Sequence, residues 1–119
     1  MMFREMLQGK LHRATLTGSR LDYPGSLTVD LDLIEGCGLL VHQKIQLLNL
    51  VNGNRLETYL IDGPRGSREF IVNGAAAHLN SVGDRVIVAG FAFYTDAELV
   101  GHHPKVLVLN ERNEVIDRH

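Results

Sequence analysis

The sequence has almost no cysteine, no tryptophan and no long apolar run, and these absences exclude several kinds of protein. Cys37 is the single cysteine among 119 residues, so an intramolecular disulfide is impossible. One cysteine and six scattered histidines also lack the ligand spacing of a metal site. The apolar runs are too short to span a bilayer, and MMFREMLQGK lacks the apolar core of a secretory signal. We therefore expect a cytoplasmic protein with no metal and no membrane partner.

Charge and length limit the possible partners and the number of domains. The formal net charge is −2, from 12 basic and 14 acidic residues, and no long basic run occurs. This balance argues against nucleic acid as a partner. A chain of 119 residues with 45% hydrophobic residues can bury one core but has little room for a second. We predict a single domain over residues 1–119.

Strand patterns dominate the chain. Short segments that are apolar, or alternate between apolar and polar residues, are separated by Gly, Asn or Pro, as is typical of strands. Asn52-Gly53 separates two of them and predicts a type I′ hairpin turn. The segments are 11–17, 26–29, 45–51, 54–61, 69–72, 85–93 and the two halves of KVLVLNERNEVI.

Helical signals are brief by comparison. Asp30 can cap a helix over residues 31–37 that Gly38 would end, and a second short helix begins near Thr95. Helices of this length cannot form the regular crossovers of a layered α/β fold. The pattern therefore predicts a mainly β fold, a compact barrel with small helices packed on it.

The first candidate site is the segment Tyr23-Pro24-Gly25-Ser26. Pro followed by Gly suits the central positions of a type II turn. Gly25 has an unshielded carbonyl because it has no Cβ, and in a strained turn the Ser26 hydroxyl can attack it to form an ester. Elimination and hydrolysis would then leave a pyruvoyl group at residue 26. A Gly-Ser pair is also common in turns, so alone this segment is better explained as an ordinary turn.

The second candidate site is the strand segment RLETY at 55–59. Period-2 geometry places Arg55, Glu57 and Tyr59 on one face and Leu56, Thr58 and Leu60 on the other. An Arg fork suits a carboxylate, and a Tyr phenol can act as a general acid. By itself the segment is more simply explained as a sheet face with a solvated Arg and a packed Tyr.

The third candidate site is Asn73-Gly74-Ala75-Ala76-Ala77-His78. Asn73 can cap a brief helical turn over residues 74–78. Small residues at a helix start leave backbone N–H groups open to an anion or a developing oxyanion. A capped turn packed tightly on the barrel explains the segment equally well.

Together these segments resemble the pyruvoyl-dependent aspartate 1-decarboxylases. The similar stretches occur in the family's order and spacing and cover most of the chain. They are MLQGKLHRA at 6–14, LDYPGS at 21–26, NGNRLETY at 52–59, RGS at 65–67 and VNGAAAHLNSVGD at 72–84. The resemblance implies a six-stranded double-psi β-barrel and a homotetramer with active sites at subunit interfaces. It also implies self-cleavage into residues 1–25 and 26–119.

Roles for individual residues follow from the resemblance by position. Ser26 would become the pyruvoyl cofactor, in place of pyridoxal phosphate, and form a Schiff base with the α-amine of L-aspartate. Tyr59 would donate the proton that completes β-alanine, which feeds pantothenate and coenzyme A synthesis. Cleavage would involve Tyr23, Gly25, Ser26 and Thr58, with Thr58 bonded to the scissile carbonyl. Substrate binding would fall to Arg55, as the carboxylate anchor, and to Lys10, Asn73, Gly74, Ala75 and Ala76.

Two residues depart from the family pattern, and the distance between two of the proposed site residues is large for a single site. Pro24 stands where acidic or aliphatic residues are familiar, and Glu57 where a small residue is familiar. Glu57 would place a negative charge near an acidic substrate unless the strand turns it outward. Arg55 and Tyr59 are separated by roughly 13 Å of extended strand. A site between subunits would ease that separation.

Two other kinds of protein fit the same residues. A double-psi barrel that only binds a ligand, or one that serves as an assembly scaffold, would keep its chain intact. The resemblance also leaves open whether cleavage is spontaneous or needs a maturation factor. The mass of the purified chain distinguishes the enzyme from both alternatives.

Overall fold

Nine strands form most of the regular structure in the computed structural model, which describes residues 1–119. Two short α-helices, α1 (Leu31–Gly36) and α2 (Asp96–Leu99), and a 3₁₀ helix (Gly74–His78) connect them. The prediction of a mainly β fold with short helices is confirmed. The strands are β1 (Arg4–Thr15), β2 (Gly18–Arg20), β3 (Ser26–Asp30), β4 (Lys44–Asn49), β5 (Arg55–Gly63), β6 (Phe70–Asn73), β7 (Arg85–Tyr94), β8 (Lys105–Leu109) and β9 (Val115–Arg118).

The strands form one mixed sheet in the order β2-β6-β3-β5-β4-β7-β1-β8-β9. The pairs β1–β8, β2–β6 and β3–β5 are parallel, and the other neighbours are antiparallel. Strand β3 therefore runs between parallel β5 and antiparallel β6. All five residues of β3 are buried, and its first residue, Ser26, pairs with Asn73 of β6.

A single cluster of 19 buried side chains forms the core. Its largest members include Phe70, Leu11, Leu27 and Leu60, contributed by four different strands. Burying one such side chain stabilises the fold by about 1.5–3 kcal/mol. No helix in the structure combines the length and apolar character needed to cross a bilayer.

Asp30 caps α1 as predicted, and it also binds a distant loop. One carboxylate oxygen accepts the backbone N–H groups of Asp32 (2.9 Å) and Gly66 (3.0 Å), and the other accepts that of Arg68 (2.9 Å). The side chain is almost fully buried. Each hydrogen bond to a charged group contributes about 1.5–3 kcal/mol. Asp30 therefore fixes the far end of β3 to the loop before β6.

Two predicted turns are wrong. The pairing of β4 with β5 is confirmed, but it ends at Leu48 and Arg55, so the connection is longer than a two-residue type I′ turn. Only Gly53 in it has positive φ (76°), and the Asn49 side chain accepts the N–H of Val51. The loop is therefore organised by a side chain that the turn rule does not consider.

The predicted type II turn at Pro24-Gly25 is absent, because Gly25 does not have the positive φ that its second central position requires. The backbone turns earlier, where the N–H of Tyr23 donates to the carbonyl of Arg20 at 3.3 Å. Strand β2, which lies just before this turn, was not predicted, and β1 begins at Arg4 rather than at residue 11.

Candidate active site

Ser26 is the first residue of β3 and is completely buried. Its Oγ donates a hydrogen bond to the carbonyl oxygen of Pro24 at 3.3 Å. The same oxygen accepts a hydrogen bond from Nδ2 of Asn73 at 3.0 Å. Ser26 lies directly opposite Asn73 in the antiparallel β3–β6 pair, which explains how residues 47 positions apart meet. The hydroxyl is thus fixed beside the Gly25-Ser26 bond.

The Asn73 side chain does not cap the 3₁₀ helix, contrary to the prediction. Its Nδ2 instead donates to the hydroxyls of Ser26 and Thr28, the second at 2.9 Å. Its Oδ1 is buried and has no hydrogen-bond partner. An unpaired buried acceptor costs about 1–3 kcal/mol, so its persistence beside a candidate nucleophile is typical of a functional position.

Gly74 brings the 3₁₀ helix into close contact with the loop before Ser26. Its φ is +62°, which favours glycine. A Cβ on residue 74 would lie 2.5 Å from the carbonyl oxygen of Tyr23 and 2.8 Å from both N and Cα of Gly25. A Cβ on Gly25 would lie 4.0 Å from the backbone nitrogen of Ala75. The loop and the helix start are therefore packed backbone against backbone.

A pocket of about 340 Å³ lies at this contact. It brings together five of the predicted site residues: Gly25, Thr58, Tyr59, Ala75 and Ala76. Leu56, Glu57 and Leu79 complete the wall. Thr58 is half-buried and Tyr59 is 37% exposed, so the phenol is open to a molecule in the pocket.

Two predicted binding residues, Arg55 and Lys10, do not line this pocket. Arg55 lines a separate pocket of about 250 Å³ with Gln46, Leu56 and Glu57. Lys10 is on β1, which is separated from β3 by three strands in the sheet order. Within one chain the structure therefore brings neither cation to Ser26.

The strand β5 alternates as predicted. Arg55, Glu57 and Tyr59 are exposed, whereas Leu56 and Thr58 are half-buried and Leu60 is buried. Tyr23 is also exposed, and the guanidinium of Arg20 lies 5.1 Å from the centre of its ring. The Tyr23 side chain is therefore partnered by Arg20, while its backbone carbonyl contacts the 3₁₀ helix.

Lys44 does not line the pocket at Gly25, but it contacts Glu57 in the pocket wall, and sequence reasoning missed this contact. Its Nζ lies 2.6 Å from Oε2 of Glu57, and this contact holds the pKa of Lys44 above its ordinary value. Glu57 faces outward and also lines the pocket at Gly25. Lys44 therefore offsets the negative charge that made Glu57 a concern for an acidic substrate. The register of β4 on β5, which places Lys44 opposite Tyr59, is the signal that could have identified it.

The fold and the pocket define a mainly β protein whose candidate site surrounds a Gly-Ser peptide bond. Residues 2–116 match the family model described as Aspartate decarboxylase. The chain is 50% identical over 114 residues to the Aspartate 1-decarboxylase of Bacillus subtilis, covering 96% of this chain and 90% of that protein. It is 47% identical over 116 residues to the protein of that name from Halalkalibacterium halodurans, covering 98% and 91%. The chain belongs to the aspartate decarboxylase family, which confirms the resemblance drawn from its motifs.

Proposed function

We propose that this protein is an aspartate 1-decarboxylase, a carboxy-lyase that converts L-aspartate to β-alanine and CO₂ for pantothenate and coenzyme A synthesis. Relatives of that name match it over nearly their full length. The observation in this chain that most directly supports the proposal is the buried Ser26 hydroxyl, hydrogen-bonded beside the Gly25-Ser26 bond at the edge of a pocket.

The chain cleaves itself before it acts on substrate. Oγ of Ser26 adds to the carbonyl carbon of Gly25, the C–N bond breaks, and the hydroxyl proton passes to the released nitrogen, which leaves an ester. Loss of the Cα proton of Ser26 then breaks the Cβ–Oγ bond and releases residues 1–25 with a carboxylate. Addition of water and loss of ammonia convert the resulting dehydroalanine to a pyruvoyl group on residues 26–119. The hydroxyl of Thr58, which lines the pocket with Gly25, would donate a hydrogen bond to the scissile carbonyl oxygen in this step.

The residues around position 26 fit such a group. A ketone there needs hydrogen-bond donors and a small-residue wall. Asn73 supplies a buried amide whose Nδ2 donates at this position, and Gly74 with the alanines after it forms a wall of small residues. When formed, the pyruvoyl carbonyl would take up the substrate amine and withdraw electrons as the α-carboxylate leaves, as other electron-sink cofactors do.

The remaining residues bind the substrate and transfer a proton. Tyr59, exposed at the pocket wall, donates the proton to the former α-carbon. Arg55 holds the carboxylate that is retained, by two parallel hydrogen bonds. Asn73, Gly74, Ala75 and Ala76 enclose the substrate from the 3₁₀ helix side.

The proposal includes a homotetramer of six-stranded double-psi barrels with sites at subunit interfaces. Arg55 and Lys10 lie outside the pocket at Gly25 within one chain. A neighbouring subunit that supplies these cations would complete the site. Leu79 in the wall of this pocket is an exposed apolar residue, which suits a surface that a neighbouring subunit covers.

Intact mass of the purified protein, with an aspartate assay on the same sample, tests the proposal. We expect two chains whose summed mass equals that of the uncut chain plus water minus ammonia, and formation of β-alanine. Ser26→Ala should stay uncut and inactive, whereas Ser19→Ala, on exposed β2, should behave like wild type. A wild-type chain that stays intact and leaves aspartate unchanged would overturn the proposal and favour a binding or assembly role.

A further inference from the structure

Thr28 lies two residues after Ser26 on β3, on the same side of the strand, and contacts the same Asn73 amide. We infer that Thr28 is a positioning residue for self-cleavage, which orients Asn73 so that one amide N–H stays on Oγ of Ser26. This inference rests on the proposed function, because it concerns the rate of the cleavage proposed there.

The hydrogen bonds around Ser26 determine which end of the amide faces it. The Ser26 hydroxyl donates its only proton to the carbonyl of Pro24, so its oxygen must accept from Asn73. Nδ2 has two protons, and the second goes to Oγ1 of Thr28 at 2.9 Å. Both amide protons are thus used, in a site where Ser26 and Asn73 are completely buried.

The hydrogen bond to Thr28 is the second contact that fixes the orientation of the Asn73 amide. Oδ1 of Asn73 is buried without a partner and does not hold the amide in place. Without the Thr28 hydroxyl, the amide could rotate and present Oδ1 to Ser26, whose proton would then turn from Pro24 to Asn73. Oγ would lose its donor in that arrangement.

The donor on Oγ matters for the cleavage step. As Oγ attacks the carbonyl of Gly25 it gives up its proton, and an N–H bonded to it stabilises the negative charge that develops. The competing explanation is that Thr28 is present only because β-branched residues suit a buried strand. Valine would then serve equally well, since it has the same shape and strand preference but no hydroxyl.

The test compares cleavage rates of Thr28→Val, Thr28→Ser and Thr15→Val by intact mass, with melting temperature measured alongside. Thr15 is a matched control because its hydroxyl is also buried but has no partner. Loss of one hydrogen bond in the transition state should slow Thr28→Val about tenfold or more. Thr28→Ser should stay within about threefold of wild type, because it keeps the hydroxyl. Thr15→Val should cleave at the wild-type rate.

Cleavage of Thr28→Val at the wild-type rate, or equal slowing in Thr28→Ser and Thr28→Val, would overturn the inference. If Thr28→Val does not fold by circular dichroism, Thr28→Ala replaces it with the same expected loss. If neither folds, Thr28→Ser decides, and a folded Thr28→Ser that cleaves about tenfold slower than wild type contradicts the inference. A wild-type chain that never cleaves defeats the proposed function instead, so the two failures are distinct.

Discussion

Gly74 packs so closely on Gly25 that a Cβ on residue 74 would lie 2.8 Å from both the nitrogen and the Cα of Gly25. Real Cβ atoms essentially never approach other atoms this closely. The 3₁₀ helix therefore supports the loop before Ser26 through backbone contacts alone. A side chain at residue 74 would push apart the helix and the bond proposed to be cleaved.

We predict that Gly74→Ala lowers both stability and cleavage rate, while Gly53→Ala lowers stability only. Both glycines have positive φ, but a Cβ on Gly53 meets nothing within 4 Å. The left-handed backbone alone costs about 1–2 kcal/mol with a Cβ, and Gly74→Ala adds the collision with Gly25. Denaturant unfolding and intact mass measure the two effects. Equal stability losses with unchanged cleavage would show that the contact does not support the loop.

Much of the fold was predictable because its signals are local. Apolar or alternating segments identified most strands, including 85–93, and Asp30 as a cap with Gly38 as the end identified α1. The failures have a common cause. Strand β2 has three residues and exists only through parallel pairing with β6, and the 50–54 loop depends on the side chain of Asn49. Neither interaction leaves a pattern in adjacent residues.

The sequence predicted individual residues of the candidate site, but not which of them contact each other. Motifs identified Ser26 and Asn73 separately, and a cap was the local expectation for Asn73. Its actual partners, Ser26 and Thr28, are set by the β3–β6 register between segments far apart in the chain. Thr28 belongs to no motif, so only that register identifies it. The separation of Arg55 from Tyr59, by contrast, was expected from the length of an extended strand, and Arg55 lines a different pocket.

Tyr59→Phe should leave cleavage intact and slow β-alanine formation by about 10²–10⁴-fold, the contribution of one general acid. The ring still packs at the pocket wall, but the proton donor is gone. Tyr94→Phe is the matched control, because the Tyr94 ring on β7 packs against His102 and does not line the pocket. Turnover of Tyr59→Phe close to that of wild type would assign the proton donor to another residue.

Arg55→Lys should lower kcat/KM for aspartate by roughly tenfold or more, because lysine keeps the charge but loses the planar fork. Arg55 forms no ion pair within the chain, so the substitution breaks no internal contact of that kind. Arg118→Lys, on exposed β9, is the control. Unchanged aspartate kinetics with a lower melting temperature would instead show that Arg55 only stabilises the β4–β5 hairpin.

Cys37 should resist alkylation in the native protein. It is completely buried at the end of α1, and burial raises the pKa of its thiol to about 11. Since the thiolate is the reactive form, a raised pKa leaves little of it at pH 8. Iodoacetamide at pH 8 should label the guanidinium-unfolded chain within minutes and leave the native chain unlabelled, as measured by mass. Rapid native labelling would mean that the core around Cys37 opens readily.

The ion pair between Lys44 and Glu57 explains how the pocket can carry an acidic residue and still bind an acidic substrate. Lys44→Gln should raise KM for aspartate, because an unpaired Glu57 would repel a dicarboxylate at the pocket wall. The pair is exposed, so the effect should be about two- to fivefold, as expected for surface charges, and should shrink with added salt.

The double variant Lys44→Gln/Glu57→Gln should restore KM, since it removes the repelling charge together with its partner. Cleavage at Gly25-Ser26 should be unaffected in both variants, because neither side chain contacts Ser26. Steady-state kinetics at low and high ionic strength measure the effect. If the single and double variants share one KM, Glu57 does not act on the substrate, and the Lys44 contact is only a cross-strand pair of the hairpin.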